Sequence, residues 1–304
     1  MSEQAKGVGL PGWFWQAFAA PGVIWLLLLF IVPFFAILAI SMGTRDPIFL
    51  APVPIWNPLD WNTETFTGVV REILFGGPHQ VVFIRTLAYV GVASVLSLVI
   101  GYPVAYYIAR HAHRTKMILL ILLIAPWWIS YLMRMLAWVN LLEDRGLVNS
   151  LLQKIGLIGG PINWLNGRPS TVVLGLVYGY IPFLILPLYA AIDRIDQSMM
   201  EASRDLGASP ARTFVRVTLP LSRQGILAAS VIILLPMFGD YYTQDLLSAN
   251  PRTSMFANAI SRLLFSRTGG AEGSSMVIFL SLFLVILMFY YLVSTARAAR
   301  EYER

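Results

Sequence analysis

Six stretches of this chain run for about 20 residues with almost no charge, a length and character that fit the roughly 30 Å hydrocarbon core of a bilayer. They extend from about Pro21 to Met42, Thr86 to Ala109, Met117 to Leu142, Thr171 to Ile192, Ile226 to Leu247 and Ser275 to Val293. Each is too long and too continuously apolar to alternate like a barrel strand. The first exceeds a signal-peptide core and has no small-residue cleavage site, so it is read as a retained span. The fold class that follows is an all-α polytopic membrane protein with six transmembrane helices. Composition agrees: 57% of the 304 residues are hydrophobic and 12% charged, against roughly 25% charged in soluble domains. These figures exclude a cytosolic enzyme, a disordered chain and a nucleic-acid-binding protein. The absence of cysteine excludes disulfides, thiolate metal sites and cysteine nucleophiles.

The net charge of +6 comes from 19 Arg and 3 Lys scattered between the apolar stretches, the arrangement that orients a membrane protein. Six spans put both termini on one side. The segments 1–20, 110–116, 193–225 and 297–304 share that side and carry Lys6, Arg110, Arg114, Lys116, Arg194, Arg204, Arg212, Arg216, Arg223, Arg297, Arg300 and Arg304. The opposite loops are longer and carry nine basic residues against these twelve. The denser set is expected to be cytoplasmic. Pro33, Pro103, Pro126, Pro182, Pro187 and Pro236 lie inside spans. They read either as ordinary membrane-helix irregularity or, at Pro103 and Pro236, as kinks along a gated path.

Several motifs are empty. Gly7 to Gly12 spell G-x-G-x-x-G, but no strand precedes them and a membrane helix follows. No lysine stands in a G-K-[ST] arrangement, so any ATP hydrolysis must belong to another chain. His111 and His113 have no carboxylate or cysteine companions and read as interface residues. No cofactor is expected.

Residues 201–220, between the fourth and fifth spans, are the most informative. Residues 198–206 suit a short helix, Gly207 a tight turn, Ser209 an N-cap and Pro210 the first position of a second helix. Phe214, Val217 and Leu221 fall near one face of that helix, Arg212 and Arg216 on another, and Pro220 is expected to close it. By itself this describes a helix–turn–helix on the membrane surface, with lipid-headgroup contact as the plainer role.

The run Glu201-Ala202-Ser203-Arg204-Asp205-Leu206-Gly207 followed by Val217-Thr218-Leu219-Pro220 resembles the E-A-A…G…I-x-L-P loop of permeases in binding-protein-dependent ABC importers. Ser203 replaces the second Ala and Val217 the Ile. The resemblance implies a type I permease architecture and a coupling helix seated on a cytoplasmic ABC ATPase. Glu201, Ala202, Asp205, Gly207, Ala208, Ser209, Leu219 and Pro220 are the implied coupling residues. It implies a core over 85–292, preceded by a cytoplasmic tail (1–20) and a first helix with its extracytoplasmic loop (21–84), and followed by a cytoplasmic tail (293–304). Both termini would be cytoplasmic, in a bacterial inner membrane. Gly101-Tyr102-Pro103, Ala125-Pro126-Trp127-Trp128, Leu186-Pro187-Leu188-Tyr189 and Leu235-Pro236-Met237-Phe238-Gly239 further resemble the spermidine/putrescine branch. That branch implies an ATPase dimer, a second permease and a soluble solute-binding protein as partners. Permeation of another small solute on the same scaffold is an alternative. Ion-coupled secondary transport is another, disfavoured by the loop and by the lack of inverted repeats. A membrane enzyme is third.

A polyamine needs carboxylates for its ammonium groups and aromatic faces for cation–π contact. Asp240 and Asp245 sit in the fifth span beside Tyr241 and Gln244, and Arg134 lies in the third. On a continuous helix Asp240 shares a face with Gln244, and Tyr241 with Asp245. Asp240, Tyr241, Asp245, Trp128 and Arg134 are the candidates for the substrate path. The structural alternative pairs Arg134 with one aspartate as a buried bridge.

Overall fold

The computed structural model describes residues 12–302. Lys6, the glycine string before Gly12, Arg304 and the side chains of Arg297 and Arg300 lie outside what is described. Contacts divide the chain into two compact units, Met1–Val70 with Leu263–Ile278, and Arg71–Arg262 with Phe279–Arg304.

In the smaller unit, α1 (Gly12–Ser41) carries Pro21 and Pro33 inside a 30-residue helix, about 45 Å long at 1.5 Å per residue. It starts nine residues before the apolar stretch read from the sequence. Every residue from 21 to 33 is exposed, whereas Ala39, Ser41 and Met42 are buried. Ser41 Oγ lies 2.8 Å from Ser275 Oγ. After α1, β1 (Thr44–Arg45) and β2 (Pro52–Val53) pair antiparallel, Thr44 opposite Val53. A Cβ on Gly43 would collide with the Val53 carbonyl, so this approach requires glycine.

The larger unit begins inside α2 (Glu64–Phe75) and continues through α3 (Pro78–Arg110), α4 (Lys116–Ile124), α5 (Tyr131–Leu142), α6 (Leu147–Lys154) and α7 (Pro169–Asp193). Then follow α8 (Gln197–Asp205), α9 (Pro210–Thr213), a π-turn (Phe214–Thr218), α10 (Leu219–Leu221), α11 (Arg223–Phe238), α12 (Tyr242–Leu247), α13 (Phe256–Leu264) and α14 (Gly270–Tyr302). Its centre is the packing of α3, α7 and α11. Small residues let these backbones approach, as expected where lipid offers no hydrophobic drive between helices. A Cβ on Gly101 would lie 2.7 Å from Leu184, and one on Gly175 2.5 Å from Thr243 and Leu247. Phe83 meets Phe256, Phe279 and Phe283 edge-on, at ring separations of 5.3–5.4 Å, the geometry that ring quadrupoles favour.

Among the described residues four helices are long and apolar enough to cross a membrane: Trp13–Ser41, Pro78–Arg110, Pro169–Asp193 and Gly270–Thr295. The count reaches six when two bent pairs are each taken as one span. The third stretch is therefore not straight. Lys116–Trp128 meets Tyr131–Lys154 at 89°. Pro126 tightens Ala125–Trp128 into a 3-10 turn, Ile129 is extended, and Ser130 caps the restart by accepting a hydrogen bond from Met133 N.

The fifth stretch also departs from a continuous helix. Its helix leaves Pro210–Leu221 at 62°, just upstream of the stretch, and stops after Phe238, inside it. Pro220 lies inside α10, and the break falls at Ser222, whose Oγ is 2.8 Å from Tyr102 Oη. At the other end Gly239 terminates α11, and Asp240 starts α12 by accepting from Thr243 N at 2.9 Å. Asp240 therefore shares no helical face with Gln244. The face shared by Tyr241 and Asp245 survives, with Asp245 N donating to Tyr241 O at 3.2 Å.

Candidate functional site

Two regions of the larger unit hold the candidate residues. In the first, Asp196 caps α8 by accepting from Ser198 N at 3.0 Å. That backbone donor holds its carboxyl below the ordinary carboxylate range. Glu201 is exposed and accepts from Gln197 Nε2 at 2.9 Å, while Met200 on the opposite side is buried. The helix ends as Gly207 N donates to Arg204 O and Ala208 N to Ser203 O. Gly207 adopts φ +81°, the left-handed turn conformation, with nothing within 4 Å of an added Cβ. Ser209 caps α9 by accepting from Arg212 N, with Pro210 in the first turn. Ser203 Oγ and Thr213 Oγ1, 3.2 Å apart, tie the two short helices together.

This helix–turn–helix is fastened to the spans. Phe214 packs edge-on against Tyr102 and Tyr106, with centroids 5.6 and 5.4 Å away. Arg110 donates to the carbonyls of Ile192 and Ile195 at 2.6 and 2.7 Å. Ala202, Asp205, Pro220 and Leu206 are exposed, Leu206 by 89%, and Leu219 by 37%. The result is a platform anchored to α3 and α7 with an outward face of mixed charge.

The second region lies where both broken spans change direction. Among the described residues, Asp240 and Arg134 are the two buried charged side chains, 5% and 8% exposed. They do not pair. Asp240 accepts four hydrogen bonds: from Thr243 N at 2.9 Å, Thr243 Oγ1 at 2.6 Å, Tyr131 Oη at 2.8 Å and Tyr180 Oη at 3.1 Å. Tyr131 Oη also bonds Thr243 Oγ1. Arg134 instead lies over three rings, 4.7 Å from the centroid of Trp127, 5.5 Å from Tyr131 and 6.0 Å from Tyr178. Its Nε and Nη1 are buried and meet no acceptor.

Burying such a charge at mid-membrane costs about 2.5–3.5 kcal/mol on insertion scales. A desolvated cation–π contact returns about 2 kcal/mol, so several rings offset most of the cost without a counter-ion. The buried Arg–Asp bridge considered from the sequence is replaced by an aromatic cage.

The remaining candidates separate. Asp245 is exposed and outside the cluster. Tyr241 stacks on Tyr242 at 4.1 Å. Trp128 is 79% exposed, and its neighbour Trp127 makes the contact, its Nε1 donating to Gly179 O at 3.2 Å. Sequence reasoning missed Trp127, Tyr131, Tyr178, Tyr180 and Thr243. The available signal was Trp127 and Tyr131, seven and three residues before Arg134 and therefore on its face of a helix.

Comparison with known proteins identifies the family and the fold. Residues 97–300 match the family described as "Binding-protein-dependent transport system inner membrane component". The chain is 34% identical over 280 residues to the spermidine/putrescine transport system permease protein PotB of Haemophilus influenzae, covering 92% of this chain and 93% of that one. It is 34% identical over 223 residues to the protein of the same name from Escherichia coli K12, covering 73% and 77%. A crystal structure of a bacterial alginate ABC transporter, in complex with an alginate pentasaccharide-bound periplasmic protein, contains a chain of the same fold. Its TM-score is 0.74 at 18% identity, covering 94% of this chain and 95% of that one.

Proposed function

The chain belongs to the family of binding-protein-dependent transport system inner membrane components, and from that premise we propose that its cargo is a polyamine, spermidine or putrescine. It is a multi-pass permease of an ABC importer and not an enzyme, with ATP hydrolysed in a separate subunit. In the proposed assembly it pairs with a second permease. An ATPase dimer engages the 198–220 platform through Glu201, Ala202, Asp205, Gly207, Ala208, Ser209, Leu219 and Pro220, and a solute-binding protein delivers cargo to the opposite side. The platform and both termini then face the cytoplasm, in keeping with the density of Arg and Lys on that side.

One observation carries the cationic cargo: among the described residues the buried carboxylate of Asp240 has no cation paired with it and is lined by the phenols of Tyr131 and Tyr180. A protonated amine arriving there meets a carboxylate and aromatic faces together, the pairing that recognises organic ammonium groups. Similarity to spermidine/putrescine permeases over nine-tenths of the chain supports the same cargo.

The test is purification of the complex and reconstitution into proteoliposomes. The expected result is co-purification of an ATPase and uptake of radiolabelled spermidine that requires ATP and the solute-binding protein. Uptake driven by an ion gradient without ATP would overturn the reading, as would ATP-driven uptake of an uncharged or anionic solute with spermidine excluded.

A further inference from the structure

The caged cation is the one buried charge that the proposed function leaves without a task. We propose that Arg134 determines specificity by acting as a fixed positive barrier. It keeps inorganic monovalent cations out of the oxygen cluster at Asp240 while an organic polycation still binds. The inference rests on the reading of Asp240 as part of the path.

The cluster invites the wrong ions. Two carboxylate oxygens of Asp240, Thr243 Oγ1 and the phenolic oxygens of Tyr131 and Tyr180 converge within hydrogen-bond distances. Hydroxyl protons can turn away, which leaves a hard oxygen set of the kind that alkali cations favour. Such a set on a transport path takes up potassium or sodium in place of an ammonium in each turnover, unless something opposes them.

Arg134 is built to oppose them. No carboxylate pairs with it, and its Nε and Nη1 meet no acceptor, so its charge is not cancelled locally. The cage fixes its position: Trp127 is tethered to the Gly179 carbonyl, and the Tyr131 ring has Arg134 over its face and Asp240 on its hydroxyl. The charge therefore stands one tyrosine ring away from the cluster. At about 10 Å and an effective dielectric of about 20, such a charge lowers occupancy by a monovalent cation on the order of tenfold. Arginines placed beside conduction paths exclude cations in pores by the same physics. A polyamine pays this repulsion mainly for the one ammonium at Asp240. It recovers the loss through ring contacts and burial of its methylenes, neither of which a hydrated potassium ion can make.

The experiment uses the intact complex in proteoliposomes and follows the entry of radioactive rubidium during ATP turnover. In parallel it measures how strongly potassium inhibits spermidine uptake. Arg134→Met should raise rubidium entry about tenfold and make uptake sensitive to potassium. Arg134→Lys, which keeps the charge, should stay near wild type. Arg134→Gln carries the same test if the Met variant fails to assemble. Wild-type rubidium entry and potassium sensitivity in an assembled neutral variant would overturn the proposal, even if Asp240→Asn impairs uptake. Adding Asp240→Asn to Arg134→Met should abolish the rubidium entry. If entry persists in that double variant, the ions take a route that does not use Asp240, and both the placement of Asp240 on the path and the proposal are overturned.

Discussion

Asp240→Asn puts the central contact to a direct test. The carboxylate accepts from Thr243 N through Oδ1, and from the hydroxyls of Thr243, Tyr131 and Tyr180 through Oδ2. An asparagine oxygen keeps the backbone bond that starts α12. The amide nitrogen replaces Oδ2, and two of the three hydroxyls can rotate to accept its protons; the charge assistance they lose is offset because an ion is no longer buried, so the fold loses on the order of 1 kcal/mol. Arg134 is held by rings and not by Asp240, so the change strands no buried cation. Membrane abundance should stay close to wild type. The arriving ammonium, however, loses a charge-assisted partner worth about 1.5–3 kcal/mol, which is ten- to a hundredfold in uptake efficiency. The assay is initial uptake rate against spermidine concentration, normalised to permease content by immunoblot. Uptake within twofold of wild type at normal abundance would refute the placement of Asp240 on the path. A collapse in abundance would show that the carboxylate is instead required for folding.

Gly207→Leu forces a branched side chain into a φ of +81°, costing about 1–2 kcal/mol, while open space at its Cβ spares the packed spans. The variant should insert at near-normal level yet transport little, so wild-type uptake would remove this turn from coupling. Glu201→Lys should weaken ATPase co-purification more than Glu201→Gln does, because it reverses a charge on the exposed face of α8; equal retention would reduce Glu201 to a helix contact with Gln197. Asp196 is held below its ordinary pKa of 3.8 by the Ser198 backbone donor. Its capping contribution is therefore complete above that value and lost only as pH falls through the lower folded value. Amide exchange at Ser198 and Met199, corrected for intrinsic rates, should show constant protection between about pH 5 and 8, and Asp196→Ala should lose that protection throughout the range.

The apolar stretches were legible because twenty uncharged residues admit one environment, and Pro33, Pro182 and Pro187 do lie inside α1 and α7. The platform at 198–220 was legible because caps and turns are local: Ser209, Pro210 and Gly207 do what their own chemistry dictates. The two breaks were not. Pro126 and Ser130 read equally well as a kink, and whether the chain turns 89° there depends on what packs around it. Trp127 stands seven positions before Arg134, on its face of a regular helix, so preferring Trp128 was an error of helical spacing and not a consequence of the break. Gly239-Asp240 was a stop signal overridden by the hydropathy around it. The cage around Arg134 was legible only in part: Trp127 and Tyr131 lie on its own segment, whereas Tyr178 joins them only after α7 is brought against α5.

The exposure profile of α1 has a consequence for how this helix can drift. Along 21–33 every residue faces outward, so the only demand on those positions is to be oily, and leucine, isoleucine, valine or phenylalanine should interchange without penalty. Within about two turns the rule changes. Ala39 and Ser41 are fully enclosed, Ser41 bonds Ser275, and Gly43 abuts the Val53 carbonyl. A saturation scan of α1 should therefore divide into a permissive stretch scored by hydropathy alone and a short, exacting stretch scored by side-chain volume. Random replacement should accumulate freely on one side of Phe34 and be purged increasingly on the other.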